Sequence, residues 1–248
     1  MDLGLEGKRA AVAAATSGLG YASAEALAAA GARVAICGRD RGHVDDAAAR
    51  LGANATGLVV DLSTADGGAA FVAAAGEALG GVDILVANGG GPPAGTFAST
   101  DVDAYLPALE LNLLSVVAMC KAAVPAMQAR HWGRVVAITS IAVRQPIPNL
   151  ILSNTARTGV TGFLKTVALE VARDGVTVNS VQPGSHATAR IQSLYGLSSE
   201  QAAAAVAEGT MGDPADFGQV VAFLCSQPAR FITGVHLSVD GGSYLALL

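Results

Sequence analysis

Short apolar runs alternate along the chain with longer Ala-rich stretches. The runs are Arg9 to Ala14, Arg33 to Cys37, Gly57 to Val60, Ile84 to Ala87, Arg134 to Thr139, Thr177 to Val181 and His236 to Val239. Between them lie stretches near Leu19 to Ala30, His43 to Leu51, Ala65 to Leu79, Val102 to Gln128, Leu150 to Arg173 and Pro214 to Ser226, each long enough for a crossover helix. A strand wetted on one face alternates apolar with polar residues, whereas one that is apolar throughout is covered on both faces. The pattern predicts an α/β fold: a doubly wound, seven-stranded parallel sheet with helices on both faces, and ligands outside the carboxyl ends of the strands.

Two segments break the alternation. Gly89 to Thr100, GGGPPAGTFAST, reads as a turn-rich loop after the fourth strand. Ser185 to Gly212 is a long insertion after the sixth strand, and connections of that length in compact domains are usually functional. It is expected to act as a substrate lid near 185-212, over the ligand end of the sheet.

The chain has 248 residues, a length that suits a single domain over 1-248 because an open sheet can grow beyond the usual domain size without splitting. Hydrophobic residues make up 52% and charged residues 14%, too apolar for disorder and too evenly interrupted for a membrane span. So little charge leaves apolar surface for a second copy to cover, so a homo-oligomer is expected. A net charge of −5 without any Lys/Arg cluster excludes nucleic acid as a natural partner. The first residues, MDLGLEGK, lack an apolar core of signal-peptide length and lead into a strand, which suggests the cytoplasm. Cys37, Cys120 and Cys225 lie far apart in apolar segments and read as buried thiols, with no metal-ligand spacing.

Candidate chemistry gathers at the ends of the apolar runs. After the first run, Ala13 to Gly20 reads AAATSGLG and opens directly into a helix. Thr16, Ser17, Gly18, Leu19 and Gly20 would bring backbone and a helix N-terminus to a pyrophosphate, with Gly20 allowing close helix packing. Further on come Asp61-Leu62, Asn88-Gly89-Gly90, Asn112, Ser140, the turn Pro183-Gly184 and Val239-Asp240-Gly241-Gly242. In this order and spacing the landmarks resemble the short-chain dehydrogenase/reductase family, most closely its 3-oxoacyl-carrier-protein reductases and their atypical relatives, over nearly the whole chain.

The resemblance implies a Rossmann-type fold, a tetramer and a dinucleotide in the cleft. Asp61 and Leu62 would contact the adenine, Asn88 and Gly89 would lie beside its ribose, and Pro183, Gly184 and Thr188 would flank the nicotinamide. Ala14 stands where the family has Gly, a replacement that fits a turn of negative φ. At the end of the second strand Gly38 occupies the place of the acid that grips a ribose 2′-hydroxyl. Arg39 beside it can pair with a 2′-phosphate, with Arg41 as a second cation, so NADP(H) is preferred over NAD(H). Asp40 is the one acid at hand for a ribose instead.

The catalytic positions depart from the family. Asn112 and Ser140 match its Asn and Ser, but Ser153 stands for the Tyr that donates the proton and Arg157 for the Lys four residues on. A Ser hydroxyl is a far weaker acid than a phenol of pKa about 10, and one cation cannot bring it near neutrality. The tyrosines nearest to this stretch are Tyr105 and Tyr195, so no shift of alignment restores the pair. Three donors come into question: Tyr195 from the lid, His186 beside the nicotinamide turn, or a water held by Ser140 and Ser153. Arg144 and Gln145 are candidates for the substrate wall or, equally, for a solvated rim.

Three functions are compatible with these residues. The first is an NADP-dependent oxidoreductase that reduces a ketone or a carrier-bound 3-oxoacyl group with atypical proton delivery. The second is a cyclase, dehydratase or isomerase on the same fold, which has less need of the Tyr and Lys. The third is a non-catalytic nucleotide-binding protein. Small or apolar residues over Gly91 to Phe97 and Thr188 to Tyr195 favour a neutral small molecule or carrier-bound substrate over a polyanion.

Overall fold

A computed structural model describes residues 2–189, 199–204 and 206–247. The strands are β1 Arg9–Val12, β2 Arg33–Gly38, β3 Ala55–Val59, β4 Ile84–Ala87, β5 Gly133–Ile138, β6 Val176–Pro183 and β7 His236–Val239. All pairings are parallel, in the order β3-β2-β1-β4-β5-β6-β7. This is the doubly wound, Rossmann-type sheet expected from the apolar runs. The order reverses between β1 and β4, which opens a crevice at their carboxyl ends.

Why the strands are apolar throughout is visible in their two faces. Ala11, Leu85, Val135 and Ala137 join a core with Phe71, Met119, Met127 and Leu164, while Ala10, Val12, Ile84, Val86, Val136 and Ile138 join a second core with Leu27, Phe217 and Leu224. The first core lies under α3 Ala65–Leu79, α5 Ser115–Ala129 and α6 Ile151–Val171, the second under α1 Gly18–Ala29 and α8 Pro214–Cys225. Close approach of α1 and α8 depends on Gly218, where a Cβ would fall 2.3 Å from the Ala22 carbonyl oxygen. The remaining helices are α2 Arg41–Leu51, α4 Tyr105–Leu109 and the short α7 Ser199–Ala204.

Polar residues set the helix starts. Asp40 accepts from the His43 amide at 2.9 Å to cap α2, Thr64 Oγ1 accepts from Gly67 at 3.2 Å to cap α3, and Asp213 accepts from Ala215 at 2.8 Å to cap α8. The Ala65 amide, another unpaired donor of α3, is satisfied at 3.0 Å by Glu110 Oε2.

The stretch expected as one helix from Val102 to Gln128 is subdivided. A 3₁₀ turn, Val102–Ala104, leads into α4, and a π turn, Glu110–Leu114, separates α4 from α5. Val102–Ala129 is long and apolar enough, by length and composition, to cross a membrane; here Met119, Cys120, Ala123 and Met127 are buried against the sheet. At the opposite, amino end of the sheet, Asp83 takes hydrogen bonds from the Arg9 backbone at 3.1 Å and its guanidinium at 2.7 and 2.6 Å, with Arg130 at 3.4 Å.

Candidate active site

A cleft of about 340 Å³ opens at the carboxyl ends of β1, β4, β5 and β6. One wall is the turn after β1, from Ala14 and Ser17 to Gly20; opposite it stand Pro183, Gly184, Ser185, His186 and Thr188 after β6. Asn88, Gly89 and Gly90 form the floor, and Ser140, Ser153 and Arg157 the far end. Residues that are distant in sequence, and that the chain's pattern suggested for both cofactor and catalysis, thus share one cavity.

The turn after β1 is built for close approach. Gly18 has φ +59°, in the left-handed region, and faces the Thr188 methyl; a Cβ on Gly20 would lie 2.6 Å from Asn88 Nδ2 and 2.7 Å from the Ala14 oxygen. Asn88 donates to the carbonyls of Ala13 and Ala14 at 3.2 and 3.1 Å, so it holds the turn from below. Ala14 itself has φ +46°. The condition of a negative φ, under which Ala would fit, is not met: the backbone keeps a conformation that favours Gly, and Ala bears the strain. Amides at the start of α1 still face the cleft, so the residues present fit a pyrophosphate.

Of the adenosine-end candidates, Thr16, Arg39, Asp61 and Leu62 lie outside this cavity's lining. Arg39 is exposed at the end of β2 and Leu62 is buried. Asp61 Oδ1 accepts from the Ser63 amide at 3.0 Å, a local turn that leaves its second oxygen for a ligand. Asp40 Oδ1 caps α2, and the rest of its carboxylate stays exposed beside Arg39.

Three groups line the far end of the cleft, and a fourth stands behind it. Ser140 Oγ accepts from the Ala142 amide at 3.1 Å, so its own hydrogen remains to be donated into the cleft. Ser153 is buried on the first turn of α6 and lines the same wall. Arg157, one turn further, donates from Nη1 to the Ile138 carbonyl at 3.0 Å, which fixes its guanidinium across the end of β5. Asn112 sits on the π turn: Nδ2 donates to the Gly90 carbonyl at 2.6 Å, and Oδ1 is buried without a hydrogen-bond partner among the described residues. It therefore meets the cleft through Gly90 and not directly.

His186 is buried, not the solvent-facing loop residue that is its commoner fate. Its ring packs edge-on against Phe217 at 5.1 Å, and its backbone bridges to Gly212, closing the two ends of the insertion onto each other. Burial pushes its pKa down, against smaller opposing effects of the Gly184 carbonyl, Asp213 and Asp240. Nδ1 donates to the Gly184 carbonyl at 3.2 Å, so the neutral ring presents Nε2 as an acceptor.

The wall beyond Ser140 is apolar. Ile141, Ile147 and Leu150 line the cleft, whereas Arg144 and Gln145 turn to the C-terminal segment: Arg144 donates to the His236 carbonyl at 3.0 Å and lies over the Tyr244 ring, and Gln145 accepts from Leu245. The apolar Ile and Leu residues were legible only as core. Of the remaining candidates, Tyr195 and most of the Thr188 to Tyr195 segment lie outside the described residues. Cys37, Cys120 and Cys225 are buried, with thiols pushed up to about 12 by burial. Among the described residues no cluster of His, Cys, Asp or Glu could hold a metal.

Residues 13–244 match the family model described as Enoyl-(Acyl carrier protein) reductase. The human protein "Dehydrogenase/reductase SDR family member 4" is 35% identical over 245 residues, covering 96% of this chain and 88% of its own. The Vibrio cholerae "3-oxoacyl-[acyl-carrier-protein] reductase FabG" is 34% identical over 243 residues, 98% of this chain and 100% of its own. Among solved structures, L-sorbose reductase from Gluconobacter frateurii, complexed with NADPH and L-sorbose, superimposes with a TM-score of 0.92 at 28% identity over 100% of both chains. The chain belongs to the short-chain dehydrogenase/reductase family. It is an enzyme of that type, with oxidoreductases as its relatives.

Proposed function

We propose that this protein is an NADP-dependent reductase of a neutral ketone or carrier-bound 3-oxoacyl group with atypical proton delivery, Ser153 standing where the family has its Tyr. The observation that carries the reading is the shared cleft: a Gly-containing turn at a helix start, the Asn88 floor and the Thr188 wall lead directly to the Ser140 hydroxyl. NADPH, when bound, supplies the hydride. Ser17 to Gly20 would hold its pyrophosphate, Pro183, Gly184 and Thr188 its nicotinamide, Asp61 and Leu62 its adenine, and Asn88 and Gly89 its adenine ribose. Arg157, held on the Ile138 carbonyl, stands where the family has its Lys and would hydrogen-bond the nicotinamide ribose.

Ser140 donates to the carbonyl oxygen, because the Ala142 amide already occupies its acceptor side. Ser153 lines the same wall and, with Ser140, holds the water that carries the proton to the developing alkoxide. His186, neutral at pH 7 with its Nδ1 hydrogen directed at Gly184, suits acceptance of a proton better than donation. The wall of Ile141, Ile147 and Leu150 selects an apolar substrate body. A tetramer in the cytoplasm completes the reading, with the exposed Val102, Leu106 and Leu169 on outer helices as surface for other copies.

The test is a fluorescence titration with NADPH and NADH, followed by turnover on a panel of neutral ketones and 3-oxoacyl thioesters. NADPH binding with turnover in the parent supports the reading. Binding without turnover, with activity restored only by Ser153→Tyr plus Arg157→Lys, assigns the chain instead to non-redox chemistry or nucleotide binding alone.

A further inference from the structure

The end of α2 reaches the nucleotide turn. Arg50, in the last turn of α2, extends toward Thr16 so that Nη2 lies 3.4 Å from its carbonyl oxygen. The guanidinium rests over the Tyr21 ring, 4.3 Å from its centroid, and Tyr21 belongs to the first turn of α1. On another side of Thr16 lies the end of β2: a Cβ on Gly38 would meet the Thr16 methyl at 2.6 Å, and Arg39 follows at once. Thr16 therefore has Arg50 at its carbonyl and, at its methyl, Gly38, the residue that precedes the exposed Arg39.

Arg39 and Arg50 are separated by 11 positions, with Asp40, Asp45 and Asp46 between them, and no ion pair joins Asp46 to Arg50 within 4.0 Å. Asp40 caps α2, and Asp45 faces Arg41 at 3.8 Å. No acid is hydrogen-bonded to Arg50 in the contacts described, and its contact with Thr16 is long for a hydrogen bond. A guanidinium carries five donors in a planar fork, so a group held by one long bond and a ring face retains donors for an anion. Stacking on an aromatic ring orients the fork without using those donors.

We infer that Arg50 is a specificity-determining residue: with Arg39 it clamps the 2′-phosphate of the nucleotide beside Thr16. This assignment rests on the dinucleotide reading of the cleft and adds to it the second half of the phosphate site. NADH carries a hydroxyl where NADPH carries the phosphate, so a residue acting only on that phosphate discriminates between the two. A residue that merely props the turn after β1 affects both alike.

The experiment measures dissociation constants of NADPH and NADH for the full-length protein and for Arg50→Gln, Arg50→Lys and Arg39→Gln. Arg173→Gln, at the amino end of the sheet, controls for the loss of one positive charge. Arg50→Gln is expected to weaken NADPH about tenfold, as for loss of a charge-assisted hydrogen bond, with NADH changed less than about twofold. Arg50→Lys restores part of the loss, and Arg173→Gln changes neither affinity. Equal weakening of both nucleotides by Arg50→Gln, or no change in either, overturns the assignment while leaving the dinucleotide site intact. A parent protein that binds neither nucleotide overturns the dinucleotide reading and the assignment with it.

Discussion

Asn88 holds Ala14 in a conformation made for glycine. Its side-chain amide donates to the carbonyls of Ala13 and Ala14 at 3.2 and 3.1 Å, and Ala14 sits at φ +46°. The strained turn is thus anchored by the residue that also floors the cleft, so local stability and nucleotide geometry share the same atoms.

Ala14→Gly removes a Cβ from the left-handed region, where an L-residue costs about 1–2 kcal/mol. The greater freedom of unfolded Gly offsets part of that gain. Unfolding in urea should show the variant more stable by up to about 1 kcal/mol, with NADPH affinity equal or higher. A less stable variant would mean that the Ala14 methyl packs more than it strains.

Gly20→Ala should have the opposite effect. Its Cβ would lie 2.6 Å from Asn88 Nδ2 and 2.7 Å from the Ala14 oxygen, so the clamp must shift. Overpacking of this kind costs about 1–3 kcal/mol. Calorimetry should report the destabilisation, and a nucleotide titration should report affinity lowered by more than about tenfold.

The central strands were legible because burial on both faces of a parallel sheet leaves uninterrupted apolar runs; Ile84–Ala87, buried at every position, was bounded correctly from that signal alone. The Gly-containing turn between β1 and α1 was legible by its place in the order of elements. The π turn at Asn112 was not, since one extra residue in a helical turn hardly disturbs the apolar spacing between Val102 and Gln128. Nor was the φ of Ala14, which is imposed by Asn88, 74 positions away. The surroundings of Arg144 and Gln145 could not be read either, because their partners, His236 and Leu245, come from the other end of the chain.

Asp83 makes stability depend on acid pH. Burial alone would raise its pKa, but hydrogen bonds from Arg9 and the charges of Arg9 and Arg130 outweigh it and hold the carboxyl below its ordinary value. A depressed folded value contributes stability above the unfolded pKa of about 3.9, which is lost as pH falls through the folded one. Asp83→Asn should lose about 2 kcal/mol at pH 7 and show a flatter stability profile below about pH 4. An unchanged profile would show that other carboxylates govern acid unfolding.

Two histidines act nearer neutrality. Burial lowers the pKa of His186, and burial with the charges of Lys165 and Arg144 lowers that of His236, which bonds to Ser180 at 2.8 Å. Between the lowered folded values and the unfolded value near 6.5, the unfolded chain takes up protons that the native chain does not. Stability should therefore fall as pH drops below about 6.5, and less steeply in His186→Gln and in His236→Gln. Identical slopes in parent and variants, followed by urea unfolding from pH 7 to 5, would contradict the burial of neutral rings.

Hydride transfer from the cleft is the centre of the account, and isotope transfer reads it directly. NADPH deuterated at both nicotinamide C4 positions is mixed with excess protein and a neutral 3-oxoacyl thioester, and the acyl product is weighed by mass spectrometry. The expected result is an alcohol carrying a single deuterium at the former carbonyl carbon, absent when Ser140→Ala replaces the parent. Nucleotide that binds but yields no deuterated alcohol from any ketone offered would contradict it.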